Sequence, residues 1–151
     1  MLRTPCTIML ALAAIAPGCS PTMDLPANFV DVDQPHDAYD LRAVSADGVV
    51  VALRSEDNPD RGTLDFWAKA IQQELTARPG YTLTANDPVT SASGDDGVLL
   101  AFDVKKEATE MKYLLAVFLK FDKVVIAEAA GPADAVNPIR PELRTALLSV
   151  R

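Results

Sequence analysis

Three kinds of side chain in this 151-residue sequence could do chemistry: one histidine, a few grouped carboxylates and two cysteines. His36 stands in an acidic stretch with Asp31, Asp33 and Asp37. An imidazole among carboxylates can ligate zinc or act as a general base. Pro35 marks the segment as irregular, and no second His or free Cys completes a tetrahedral site, so an exposed loop histidine is expected. Glu128 ends a run of Val, Ile and Ala shortly before Gly131-Pro132. A carboxylate at an apolar strand end can line a cleft with a raised pKa, although pointing to solvent or pairing with a cation is commoner. Asp57-Asn58-Pro59-Asp60-Arg61-Gly62 and Gly94-Asp95-Asp96-Gly97 have a calcium flavour. Neither keeps the alternating spacing and closing Glu of an EF-hand loop, and both read as turns. A Gly-rich phosphate loop, a Gly-x-Ser-x-Gly elbow and His-Glu-x-x-His are all missing from the sequence. The chain leans away from an enzyme: no catalytic residue, metal or cofactor is assigned, and Glu128 and His36 remain as binding candidates.

The cysteines are committed elsewhere. Arg3 is followed by nine residues, Ile8 to Ala16, with no charge or hydrogen-bonding side chain. That pattern reads as a secretory signal peptide over residues 1–18, and it is too short to span a bilayer. Ala14-Ile15-Ala16 suits the ordinary signal peptidase, but Pro17 follows it and makes a poor cleavage site. Ala16-Pro17-Gly18-Cys19 resembles a bacterial lipobox, with Ala16 where Leu is commoner. The resemblance implies that Cys19 carries palmitate-type acyl chains, and two or more such chains hold a protein durably on a membrane. Ser20 after the cysteine resembles the sorting signal for the outer membrane, facing the periplasm, in an envelope with two membranes. Cys6 leaves with the leader, so no thiol remains for a disulfide or a nucleophile.

Without the leader one domain's length remains, enough to bury a core with no covalent staple. Arg3 is lost, so the 14 basic residues become 13 against 21 acidic ones. A dispersed negative charge argues against nucleic acid and against electrostatic docking on anionic lipid.

Residues 19–27 read as a lipidated cysteine and tether, and residues 28–151 as a single domain. Asn28–Val32 is a candidate first strand. Tyr39–Val44 alternates, with Tyr39, Leu41 and Ala43 on one face, and pairs through Asp47-Gly48 with Val49–Arg54 as a hairpin. Ser55–Gly62 reads as a polar loop. Thr63–Arg78 is the clearest helix, capped by Thr63 and stopped at Pro79-Gly80, with Leu64, Trp67, Ala68, Ile71 and Leu75 on its apolar side. Phe66 and Trp67 could form a binding platform, but the spacing favours core for Trp67. Tyr81–Thr84 and a separate segment after Pro88 are strands, Ser91–Gly97 is a loop, and Val98–Lys105 alternates again. Residues 111–121 are apolar on both faces and belong inside the sheet. Asp122-Lys123 turns the chain into Val124–Ala129, and Gly131-Pro132 breaks the run. Asn137 and Pro138 then open a last helix bearing Ile139, Leu143, Ala146, Leu147 and Val150. Residues 47–53 and 96–102 echo one another as two similar hairpins.

The expected fold is α+β, an antiparallel sheet of about six to seven strands flanked by two helices. Over Leu25–Val150 it resembles the PsbP-like α/β proteins through the Asp47-Gly48 hairpin, Phe66-Trp67, Gly80-Tyr81 and Glu128-Ala129-Ala130-Gly131. A cystatin-like sheet and helix is the alternative. Members of the PsbP-like fold mostly act as accessory or binding subunits; together with the lipobox-like stretch, the resemblance implies a lipid-anchored bacterial envelope protein, a non-enzymatic module that binds or scaffolds an envelope component not identified by the sequence. The other reading is a small envelope hydrolase, or a carrier of an apolar ligand, with a site between sheet and helix. Metabolic labelling with a fatty-acid probe is expected to tag the wild type and not Cys19→Ala; equal tagging of both would show that this cysteine is not the acylated residue.

Overall fold

The computed structural model describes residues 20–32 and 39–151. Cys19, His36, Asp33, Asp37 and the leader lie outside the described residues. Seven strands form one antiparallel sheet: β1 (Phe29–Asp31), β2 (Leu41–Ser45), β3 (Val50–Asp57), β4 (Tyr81–Thr90), β5 (Asp96–Lys106), β6 (Thr109–Lys120) and β7 (Lys123–Pro132). Their spatial order is β1-β2-β3-β7-β6-β5-β4. Helix α1 (Leu64–Thr76) joins β3 to β4. After β7 come α2 (Ala133–Val136), a 3-10 turn (Asn137–Ile139) and α3 (Arg140–Leu148).

Strand β6 is apolar at both parities, so each face of the sheet needs a cover. Leu114, Ala116 and Phe118 point to one face and join Leu53, Leu143 and Leu147 in a core roofed by α3. Leu115 and Val117 point to the other and join Leu100, Phe102 and Leu75 under α1. Phe102, Phe118, Leu100 and Leu115 are essentially inaccessible to solvent.

α1 begins where Thr63 Oγ1 accepts a hydrogen bond from the Phe66 N–H at 3.2 Å, satisfying one of the free donors at the helix start. It ends before Gly80, whose φ of +87° suits glycine. A Cβ there would stand 2.2 Å from the Lys105 carbonyl oxygen, so glycine also permits the close approach of this turn to β5. Trp67 packs on the α1-side core and donates from Nε1 to Asn58 Oδ1 at 3.1 Å.

Several boundaries differ from the sequence expectation. β4 is one strand running through Pro88, with an irregularity between Leu83 and Ala85. It is an edge strand, where a missing N–H costs no ladder bond. β3 extends to Asp57 because it pairs with β7 as far as Lys123. β7 likewise continues through Gly131 and Pro132, opposite Lys112 and Met111. The turn between β6 and β7 is Phe121-Asp122, since Lys120 and Lys123 still pair. Asn137 does not cap the last helix; its backbone is already helical and it continues from α2. The two echoing segments are not equivalent. Gly48 makes a turn with φ +80°, while Gly97 lies in β5, where a Cβ would meet the Phe118 ring at 2.4 Å. Val51 and Leu53 face the α3-side core, whereas Leu100 and Phe102 face α1.

Truncation Trp67→Ala is expected to cost about 3 kcal/mol through lost burial. Trp67→Phe keeps most of the apolar contact but loses the N–H donor, and should cost about 1 kcal/mol. Urea unfolding of the two variants checks the order; a Trp67→Ala protein as stable as wild type would place the indole outside the core.

Candidate functional site

α1 packs over β4, β5 and β6. On the same face, the β2-β3-β7 part of the sheet carries no helix among the described residues. Directly paired residues of antiparallel strands share a face. The register therefore aligns Arg42, Ala52, Glu128 and Leu115 in one row, and Val50, Ala130 and Tyr113 in the next. Ala52 and Ala130 have short side chains, and the larger groups around them leave a depression. Three adjoining cavities of about 540, 430 and 200 Å³ open here, and Tyr113 lines all of them.

Glu128 is half-buried on the floor of this groove, and Tyr113 Oη donates to its Oε2 at 2.5 Å. Burial first, then the Glu128 charge and hydrogen bond, push the Tyr113 phenol far above the usual tyrosine range. Tyr113 therefore stays protonated and donates its hydrogen to Glu128. The ring is braced by Tyr81 and Phe102, with centroids 6.5 and 6.3 Å away. Around the carboxylate stand Tyr39, Arg42 and Arg54 on the β2-β3 side. Ile71, Glu74 and Arg78 close the α1 side. Arg54 is ion-paired with Glu56, and Arg78 with Glu74. The hydrogen bond that Arg78 donates to Glu74 holds its guanidinium above the ordinary arginine pKa.

Chemically this is a recognition surface with donors and acceptors set close together. Guanidinium groups offer forked donors to carboxylate or phosphate oxygens. Glu128 keeps one oxygen that Tyr113 does not engage. No serine or threonine lines the three cavities, and the hydroxyl beside Glu128 is that of Tyr113, which stays protonated.

Of the residues singled out in the sequence, Glu128 is at the centre of the groove, while His36 and Cys19 fall outside the described residues. Tyr39 lies ahead of β2, which starts at Leu41, so it does not follow the alternation and lines the groove with Arg42 instead. The loop at Asp57–Gly62 is a clasp: Asn58 Oδ1 accepts from the Gly62 N–H at 2.8 Å, and its Nδ2 donates to the Gly62 carbonyl at 2.9 Å. The loop after β4 is a second clasp that sequence reading missed. Ser93 Oγ donates to Asp95 at 2.6 Å, and Lys120 Nζ donates to Ser93 Oγ at 3.0 Å. A serine beside a lysine can suggest a nucleophile and its base. Here the Lys120 ammonium also stands 3.4 Å from Asp95, and the ion pair ties the loop to the end of β6. The Ser93 hydrogen bond, more than Lys120, holds the Asp95 carboxyl below its usual value. Among the described residues, no group of three His, Cys, Asp or Glu could hold a metal ion. The signal that could have found the groove is parity: Arg42, Arg54 and Glu128 interrupt otherwise apolar strands on one face, beside Ala52 and Ala130.

No protein-family model matches the chain, and no curated protein matches it in sequence. Solved structures do resemble it. LpqN of Mycobacterium tuberculosis, whose structure is described as that of a protein involved in cell envelope biogenesis, is 15% identical with a TM-score of 0.68, covering 90% of this chain and 87% of its own. The cyanobacterial PsbP protein CyanoP of Synechocystis is 11% identical with a TM-score of 0.59, over 93% and 96% of the two chains. A Pseudomonas aeruginosa protein of unknown function, PA94, is 14% identical with a TM-score of 0.53, over 91% and 85%. At these identities the likeness establishes architecture: the chain has the PsbP-like α+β fold.

Proposed function

We propose that the chain is a lipid-anchored bacterial envelope protein and a non-enzymatic binding or accessory module, with its partner seated in the groove around Tyr113 and Glu128. The observation that carries this reading is the unroofed half of the sheet face. Tyr39, Arg42, Arg54 and Arg78 surround a half-buried carboxylate there. Such a surface offers oriented hydrogen bonds and charges to a bound partner. The lipobox-like Ala16–Cys19 stretch supports the anchor, and Ser20 supports an outer-membrane site facing the periplasm in a two-membrane envelope. The likeness to LpqN fits an envelope setting. A tether also lets a modest affinity suffice, because it concentrates the module beside its partner.

A second reading, a small envelope hydrolase or an apolar-ligand carrier, rests on Glu128 alone, a carboxylate at the junction of sheet and helix. The two are separated by placing a photo-crosslinking amino acid at Arg42 in intact cells, with Arg144 on exposed α3 as the control position. One recurrent envelope component captured at position 42 but not at 144, and reduced in Cys19→Ala cells, is the expected result. Turnover of an ester, glycan or peptide by the purified protein, abolished in Glu128→Gln, would replace the binding reading with the hydrolase.

A further inference from the structure

Two of the large apolar side chains exposed among the described residues, Phe121 and Phe66, lie at the end of the sheet where the described chain begins. Phe121 is 97% exposed at the tip of the β6–β7 turn, and its backbone is held at φ +58°, a conformation a bulky residue seldom adopts. Phe66, 56% exposed, stands on the first turn of α1 with its ring edge-on to Trp67. The two are joined through Asn58, whose N–H donates to the Asp122 carbonyl at 2.7 Å and whose side chain accepts from Trp67.

The start of the described chain is fixed at the same end. Thr22 and Arg151 exchange backbone hydrogen bonds of 2.9 and 3.1 Å. The neighbouring Val150 carbonyl accepts from Ser93 Oγ at 3.3 Å. Ser93 is tied in turn to Lys120, the residue immediately before Phe121. Cys19 is three residues from Thr22, a reach of about 10 Å even when fully extended. An acyl group on Cys19 therefore enters the bilayer beside the Phe121 turn.

We propose that this end of the sheet rests on the membrane, with Phe121 and Phe66 inserted into the interfacial layer of the lipid. This inference rests on the anchoring reading above and adds an orientation to it. An exposed phenylalanine has apolar surface to lose to the bilayer. Asp57 pairs with Lys123 and Asp95 with Lys120, while Asp122, Asp60 and Asp96 make no ion pair among the described residues, so this end is net acidic and its contact is with neutral rather than anionic lipid. Tyr113 lies seven residues up β6 from Lys120, about 23 Å from the turn. The groove is thereby held clear of the lipid.

The test uses the full chain purified from membranes and reconstituted into phosphatidylcholine vesicles, with or without bromine on the acyl chains. Phe121→Trp, with Phe66→Trp as a second reporter, is compared with Lys106→Trp at the far end of β5, each read above the Trp67 background. Bromolipid is expected to quench the tryptophans at 121 and 66, with a blue shift, and to leave the one at 106 unchanged. Protein that floats with the vesicles while 121 and 66 stay unquenched would overturn the orientation and leave the anchor standing. Quenching at 106 equal to that at 121 would overturn it as well. Protein that fails to float with the vesicles would overturn the anchor, and the orientation with it.

Discussion

A helix about 10 Å across roofs only two or three strands spaced about 4.8 Å apart, and the rest of this structure follows from that mismatch. β6 and β7 sit inside a seven-stranded sheet and are apolar on both faces, so both faces must be covered. The C-terminal segment covers one face across β6 and β7. α1 covers the other, but over β4, β5 and β6 only. What lies beyond its reach is built from short or charged side chains: Ala52, Ala130, Arg42, Arg54 and Glu128. The groove is thus the part of the sheet that the single α1 helix cannot shelter. Its polar lining is what an unsheltered face needs in water.

The chain ends impose the second constraint. Arg151 pairs with Asp24 and shares backbone bonds with Thr22, while Ser149 Oγ accepts from the Asp24 N–H at 2.8 Å. Met23 is buried in the α3-side core next to this clasp. Residues 22–25, expected from the sequence to belong to the tether of residues 19–27, are therefore packed into the fold, and the direction in which the chain leaves it is set by that packing.

Much of the architecture was legible because periodicity is a local property. The α1 stripe, the two-faced character of residues 111–120 and the Asp47-Gly48 turn each follow from neighbours in sequence. The boundaries that moved were set by partners far away. β3 continues through Glu56 and Asp57 because β7 pairs with it, and β4 passes through Pro88 because it has no neighbour on one side. The groove was legible only at Glu128. Tyr113 reads as one more apolar-face residue of β6 until register sets it diagonally across from that carboxylate. Arg78 looks like the tail of a helix until the chain turns at Gly80 and places it over the sheet.

The edges of the sheet bear on how copies of the protein behave together. An open strand edge is a template for pairing with another chain. On one side β1 is only three residues long. On the other, β4 carries Pro88, which has no donor to offer, and an irregular pairing near Thr84 that disturbs the straight run. Crowding multiplies encounters between copies, and edges that cannot zip together let the protein reach high local concentration without forming fibres or sheets of its own.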